Sequence, residues 1–333
     1  MRASDAWLRN LTDQECRELK AAAAASAQRG IPLTRLDRDV FPLPSLGPAL
    51  TALQDDVVNG RGFVLLRGFP VAGVAREQVA RMYLGLGAWF GLPVPQNAQG
   101  HLLGHVKDLG NDPIDPAVRV YTTRRRHLFH TDSCDIVGLL CLHPAKQGGA
   151  SAIASSTAIY HEIVRRRPDL ARVLCEPFII DRKGEIPAGK APTYAMPIFH
   201  HYAGQLTCLY ARDFIDAAQA RFPDLPRLTR TQIEAMDLID ELAASDKFRL
   251  DMDFQPGDIQ FLHNHQILHA RTAYEDYPEA ERKRHLLRLW LAAPNGRELP
   301  PIFAERYGDI TLGTRRGGIK VPGQTLCAPL EAE

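Results

Sequence analysis

Apolar positions in the first ninety residues recur mostly at helical spacing, whereas those after about residue 118 fall mainly into short, branched runs. Residues 12–29, TDQECRELKAAAAASAQR, read as a helix: Thr12 is placed to cap it, Glu15 stands three residues on, and Gly30 stops it. Its alanine run reads as a small-residue packing face. Further helices are expected over Pro48–Asn59 ahead of Gly60, over 76–89, over 157–167 ahead of Pro168, and over 229–245 behind a Thr229 cap. Between them GFVLLRGFPV (62–71) has the glycine-bounded, branched pattern of a buried strand, and GLPVPQNAQG (91–100) is a loop. Strand-like runs follow as VRVYTT, IVGLLCLH and SAIASS between 118 and 156. After residue 246 come KFRLDMDF, the turn QPGD, IQFLHNHQILHA and RHLLRLWLAA.

Helices come early and strands mostly late, without βαβ alternation or internal repeat. That order favours an α+β fold with an antiparallel sandwich or barrel core over a doubly wound sheet. No Ser/Gly-rich stretch divides the chain, so one domain over 1–333 is expected, with residues 1–60 as a helical N-terminal portion. A length of 333 residues is enough to bury a substantial core. With 40 basic and 39 acidic side chains the net charge is +1, which argues against a nucleic-acid or acidic-membrane partner. The arginine clusters at 124–126 and 165–167 lack interleaved aromatics and read as solvated faces. Six scattered cysteines without a C-x-x-C pair suit neither a zinc knuckle nor a disulfide scaffold. No apolar signal core opens the chain, and no run approaches the roughly eighteen apolar residues of a membrane span. A cytoplasmic protein is the expectation.

In RHLFHTDSCDIVG (126–138) a histidine and an acid, His130 and Asp132, stand one residue apart, with Cys134 and Asp135 just beyond. On a strand, His130 and Asp132 would project to one side. A facial-triad iron site needs two imidazoles and one carboxylate with the opposite face open, so a distant strand must supply a third ligand. Alone, an H-x-D pair reads sooner as a polar patch than as a metal site. PGDIQFLHNHQILHARTAYED (256–276) adds His263, His265 and His269. Arg284 and Arg288, four residues apart, lie on one face of the strand that follows. Arginines among leucines and a tryptophan call for an anionic partner, either a structural acid or a carboxylate-bearing cosubstrate. A zinc site of His130, His265 and His269 in a cupin-like hydrolase stays open at this point, as does a non-catalytic binding protein.

In the order GFVLLRGF, FHTD, KQGGASAIAS, PGDIQFLHNHQILHAR and RHLLRLWL, the chain resembles the TauD/TfdA group of iron(II)- and 2-oxoglutarate-dependent dioxygenases, from about residue 60 to 295. LPPIFAERYGDI (299–310) is similar to bacterial members. The resemblance implies a double-stranded β-helix, or jelly roll, over 60–295, with a C-terminal extension at 296–333. It implies His130, Asp132 and His269 as Fe(II) ligands, His269 lying five residues after Asn264 and His265 being the alternative. Arg284 would grip the far carboxylate of 2-oxoglutarate, and Arg288 would lie near its iron-proximal carboxylate or the substrate. Ser151, where many members have threonine, would hydrogen-bond the cosubstrate.

The reaction implied joins O2 and 2-oxoglutarate, releases succinate and CO2, and oxidises a C–H bond of a small molecule, possessing acidic or amino-acid-like character. Hydroxylation is the default, with desaturation or ring closure open on the same ligands, and a homo-oligomer is compatible with this reading. Asp132 stands where iron halogenases have a small residue, so halogenation is not expected. Asn97 and His101, on a loop (93–106) that also carries Gln96 and His105, are candidate substrate residues, together with Tyr121 and Phe129. Phe129 and Cys134 would wall the pocket, Tyr210 reads as packing, and Asp135 has no assigned role.

Overall fold

The computed structural model describes residues 5–332. Helix Asp13–Gln28 starts with a reciprocal cap: Glu15 N–H donates to the Thr12 hydroxyl, and the Thr12 N–H donates to the Glu15 carboxylate at 2.9 Å. Helices Gly47–Asn59, Arg76–Gly87, Ser156–Arg166 and Arg230–Ala244 fall where the spacing places them, the last behind a Thr229–Gln232 capping box. Three helices escape the spacing, the shortest being Ala304–Tyr307. Pro168 begins helix Pro168–Val173, where its missing N–H costs nothing, rather than simply ending the previous one. Helix Arg212–Arg221 buries only Ile215, Ala217 and Ala218, a face too weakly apolar to stand out. VRVYTT is no strand: Val120–Thr122 forms a 3-10 turn in which the Thr122 and Thr123 hydroxyls donate to the Arg119 and Val120 carbonyls.

Among the described residues the largest sheet runs in the order Leu8–Asn10, Phe63–Arg67, Ile259–His263, Ile136–His143, His285–Ala292 and Leu92–Pro93, with Gly104–Val106 also paired to His285–Ala292. A smaller sheet runs Arg249–Met252, Ser151–Ser155, Ile267–Arg271 and His127–His130. Apart from Leu8–Asn10 with Phe63–Arg67, the ladders in these two sheets are antiparallel.

Alternation along each strand sorts its side chains between two faces. Val137, Cys141, Leu286 and Trp290 of the larger sheet meet Ile153, Leu250, Met252 and Ile267 of the smaller one, so the sheets pack face to face. On the outer face of the larger sheet, Val64, Leu140, Phe261 and Leu287 pack with Leu19, Leu50 and Met82 of the first three helices. Outside the smaller sheet, Ala154 and Leu268 pack with Ile159, Leu170 and Ile239.

IQFLHNHQILHA is not one strand. It breaks after His263, and its halves belong to different sheets. The Asn264 N–H donates to the Asp135 carbonyl and the Gln266 N–H to the His263 carbonyl, closing the turn that carries the chain across. No helix among the described residues is long and apolar enough to cross a membrane, and their six cysteines are unpaired.

Candidate active site

The space between the sheets holds the chemistry, and strand register assembles it. His269 lies directly opposite His130 in the antiparallel pair of Ile267–Arg271 with His127–His130, and their ring centroids are 4.1 Å apart. The pairing then slips: Arg271 opposes His127, two residues on one strand against three on the other. This bulge stacks the His127 ring on His130 at 3.7 Å. Asp132 lies just past the strand end, with Oδ1 3.8 Å from His130 Nε2 and Oδ2 3.7 Å from His269 Nε2. One donor atom from each of the three residues lies within 4.8 Å of the others, and the three are exposed by only 6, 9 and 6% in chain order.

Protonation states follow from the surroundings. The His130 Nδ1–H donates to the Leu128 carbonyl at 2.8 Å, so Nε2 carries the lone pair facing Asp132. Burial lowers the pKa of both imidazoles, that of His269 to about 3 with His130 adding to the effect. Burial works against ionising Asp132, but Arg288, His269, His130 and the Trp290 N–H outweigh it and bring its pKa to about 2. Two neutral imidazoles and one carboxylate are the donor set that suits a non-haem Fe(II) ion.

Asp132 is held from three sides. Trp290 Nε1 donates to Oδ2 at 2.7 Å and Arg288 Nη1 to the same atom at 3.2 Å. Asn264 receives the Asp132 N–H at 2.7 Å and donates to the Asp132 and Cys134 carbonyls at 2.6 and 2.8 Å. Arg288 is fixed in turn by Gln96, which accepts from its Nε at 2.7 Å and donates to its carbonyl at 2.8 Å.

Beyond His269 the cavity continues between Leu139, Leu286 and Ser151 to Arg284. Arg284 is 4% exposed, forms no ion pair among the described residues, and its buried Nη1 has no hydrogen-bond partner. Burial pulls its pKa down. The double glycine brings the backbone against it: Gly149 sits at φ 72°, and a Cβ there would lie 2.9 Å from Arg284 Nε. Arg271 lines the same space with Nε and Nη1 unpartnered. Such buried, unsatisfied guanidinium groups fit a cosubstrate whose carboxylate reaches this end of the cavity.

The other sequence candidates divide. Tyr121 lines the cavity beside the His–Asp–His cluster, with Arg288 over its ring at 4.7 Å. Asn97 and His101 bond to each other and line a neighbouring pocket, which shares Tyr121 and Arg119 with the cluster's cavity but not the cluster itself. Phe129 is misplaced as a wall: it alternates to the outer face and packs with Ala154 and Leu268. Cys134 is buried in the core between the sheets. His265 turns away: its Nε2 lies 2.9 Å from Asp135 Oδ1, so a His130–His265–His269 zinc set does not assemble. Asp135 gains a role there, accepting also from Arg316 Nε and the Ala293 N–H.

Sequence reasoning passed over His127, Arg271, Arg306 and Trp290, and named Gln96 only as a residue of the 93–106 loop. Arg271 sits two residues after His269, a spacing that reaches the same strand face, and that signal was legible. The bulge that turns His127 inward was not.

The family model described as "Taurine catabolism dioxygenase TauD, TfdA family" matches residues 29–290. FR-33289 synthase of Streptomyces rubellomurinus (strain ATCC 31215) is 32% identical over 324 residues, 94% of this chain and 91% of its own length. Taurine hydroxylase-like protein SAT17 of Stachybotrys chartarum (strain CBS 109288 / IBT 7711) is 32% identical over 288 residues, 84% and 73% of the two chains. Among solved structures, asparagine oxygenase in complex with Fe(II), 2S,3S-3-hydroxyasparagine and succinate superposes with a TM-score of 0.67 at 16% identity, covering 86% of this chain and 93% of its own. The non-heme iron oxygenase OrfP in complex with Fe and alpha-ketoglutaric acid gives 0.61 at 16% identity, covering 86% and 94%. By the extent of these matches the chain belongs to the TauD/TfdA family, and it is a dioxygenase that works with iron, 2-oxoglutarate and O2.

Proposed function

We propose that the enzyme oxidises an unactivated C–H bond of a small molecule, by hydroxylation in the default case, with His130, Asp132 and His269 holding the iron. The carrying observation is the convergence of these three donors within 4.8 Å at the head of a cavity that ends on the unpaired guanidinium of Arg284. When bound, iron and 2-oxoglutarate together supply the oxidation of substrate by O2, with release of succinate and CO2.

The chain's own groups bind, orient and exclude. Leu128 fixes the tautomer of His130, and Asn264, Trp290 and Arg288 fix the Asp132 carboxylate. Because Arg288 is committed to Asp132 and Gln96, its part in this reading is to orient the carboxylate ligand. Arg284 would hold the far carboxylate of 2-oxoglutarate, with Ser151 lining the same space, and Leu139 and Leu286 would help to keep water out of it. Substrate enters on the other side of the cluster, where Tyr121, Tyr194, Phe214 and Trp290 line the cavity. In the same reading, the two facing sheets form a double-stranded β-helix over 60–295 within one catalytic domain.

The test is a screen of small organic acids and amino acids for substrate-stimulated succinate release, followed by mass analysis of the product. A gain of one oxygen atom supports hydroxylation. A loss of two hydrogens redirects the reading to desaturation or ring closure, and release that no candidate substrate stimulates counts against it.

A further inference from the structure

Residues 93–106 leave the strand His285–Ala292 and return to it. The Val94 N–H donates to the Trp290 carbonyl, and Gly104–Val106 pairs with the same strand, Gly104 opposite Arg288. Gln96 lies inside this excursion and packs on Gly104 so closely that a Cβ there would lie 2.3 Å from its Oε1. Within the loop, the Gln96 N–H donates to the His101 carbonyl at 3.0 Å and the Gln96 amide to the Leu102 carbonyl at 3.2 Å. Further support for the loop comes from the C-terminal segment.

From Gly318 to Pro329 the chain lies along that loop as a strap. The Gly318 N–H donates to the carbonyl of Ser133, next to Asp132, and the Ile319 N–H to that of Pro95, both at 2.7 Å. Gln324 joins the two segments: its amide donates to the Asn97 carbonyl at 2.8 Å and to the strap's own Ile319 carbonyl at 2.9 Å. The Cys327 N–H donates to the Gly100 carbonyl at 3.0 Å, and the Leu102 N–H to the Cys327 carbonyl at 2.7 Å. Gly100 sits at φ 83°, and a Cβ there would lie 2.2 Å from the Thr325 carbonyl oxygen, so no side chain fits between loop and strap. A one-way series of hydrogen bonds ties down the far end. A guanidinium only donates, so Arg76 Nη1 makes His285 Nδ1 the acceptor at 3.3 Å. The His285 Nε2–H then donates to His105 Nδ1 at 2.8 Å, and the His105 Nε2–H to the Pro329 carbonyl at 3.0 Å. Residues 318–329 line neither the substrate-side nor the cosubstrate-side cavity.

We propose that this strap is a positioning element of the active site: it holds the loop in the shape that keeps Gln96 on Arg288, and Arg288 in turn on Asp132. The contacts form a continuous series, from Gln324 to the Asn97 backbone, along the loop to Gln96, from Gln96 Oε1 to Arg288 Nε at 2.7 Å, and from Arg288 Nη1 to Asp132 Oδ2 at 3.2 Å. Without Gln96 in place, the buried Arg288 loses an acceptor at Nε and a donor to its carbonyl, and its fork no longer has one fixed direction toward Asp132. The proposal rests on the reading of Asp132 as an iron ligand.

The experiment titrates the full chain with Co(II) and records the ligand-field absorption of the bound metal together with its affinity. The set comprises the parent, Gln324→Ala, Gly100→Ala, Gln96→Ala and the double variant Gln96→Ala with Gln324→Ala. Each single variant is expected to weaken Co(II) binding about two- to tenfold and to shift its absorption. The double variant should match Gln96→Ala in both readouts, because the strap acts through that residue. Parent-like absorption in folded Gln324→Ala, whether or not its denaturation midpoint falls, reduces the strap to a stabilising role and overturns the proposal. Effects that add in the double variant overturn it as well. Should Gly100→Ala fail to fold, Gln324→Ala carries the test, since its half-buried side chain is not part of the core. Failure of the iron-ligand reading shows separately, as Asp132→Ala binding Co(II) like the parent.

Discussion

Asn264 clamps Asp132 through its backbone on both sides, accepting the Asp132 N–H at 2.7 Å and donating to its carbonyl at 2.6 Å. The clamp lies in the turn that carries the chain from one sheet to the other, 132 residues from the loop it holds. The geometry of the Asp132 carboxylate therefore depends on a side chain that does not line the cavity. Asn264→Ala removes an acceptor and two donations and leaves buried backbone groups unsatisfied. We expect metal affinity to fall about 10- to 100-fold, measured by Fe(II) or Mn(II) titration. Unchanged affinity in a folded variant would show that the loop holds its shape unaided.

Asp135 is the buried anion of a second, structural network, with His265 at 2.9 Å and Arg316 at 2.8 Å. Burial opposes its ionisation, but His265 and Arg316 hold its pKa below the ordinary value. Asp135→Asn leaves Arg316 without its counterion and should cost about 3–5 kcal/mol in chemical denaturation. Metal stoichiometry should stay at one per chain, since neither Asp135 nor His265 faces the cluster. Loss of metal without loss of stability would reverse this assignment.

Arg284→Gln tests the far end of the cavity. The variant removes the charge and shortens the side chain but keeps it polar. KM for 2-oxoglutarate should rise about 10- to 100-fold while iron affinity is unchanged. A variant with the parent's KM would point to Arg271, the other unsatisfied guanidinium in that space, as the cosubstrate's partner.

Much of this was legible in the sequence because the carriers of the signal are local. The Thr12 and Thr229 caps, the H-x-D pair and the four-residue spacing of Arg284 and Arg288 follow from backbone period and side-chain type alone. What was not legible depends on tertiary events. The break after His263 divides IQFLHNHQILHA between two sheets; polar residues 263–266 stand at the division, but nothing in them says that the two halves pair with different strands. The bulge at His127 comes from pairing with a strand more than a hundred residues away. Phe129 failed as a pocket wall for the same reason, since which side of a strand faces in is decided by its partner.

Acid should destabilise the protein earlier than carboxylate titration would. Burial brings the pKa of His200 to about 4, and burial together with His105 brings that of His285 to about 2, against 6.5 for the unfolded chain. Between those values the unfolded state binds protons that the folded state refuses. The stability these residues contribute is therefore full above pH 6.5 and declines as the pH falls, by up to about 1.4 kcal/mol per pH unit for each. Asp132, with a folded pKa of about 2 against 3.8, adds its own loss only in the lower window. Denaturant midpoints at about pH 7.5 and about pH 5 should differ clearly, and equal midpoints would contradict the buried neutral histidines.

The central claim is that His130, Asp132 and His269 are the iron site. It is tested most directly by Fe(II)-dependent conversion of 2-oxoglutarate to succinate in the parent, in His130→Ala, Asp132→Ala and His269→Ala, and in His263→Ala as a histidine outside the cluster, with bound iron quantified in each. The account predicts succinate from the parent, loss of both iron and succinate in the three cluster variants, and retention of most of both in folded His263→Ala. Succinate formation that survives Asp132→Ala with iron still bound, or a parent that holds zinc and leaves 2-oxoglutarate untouched, would contradict it.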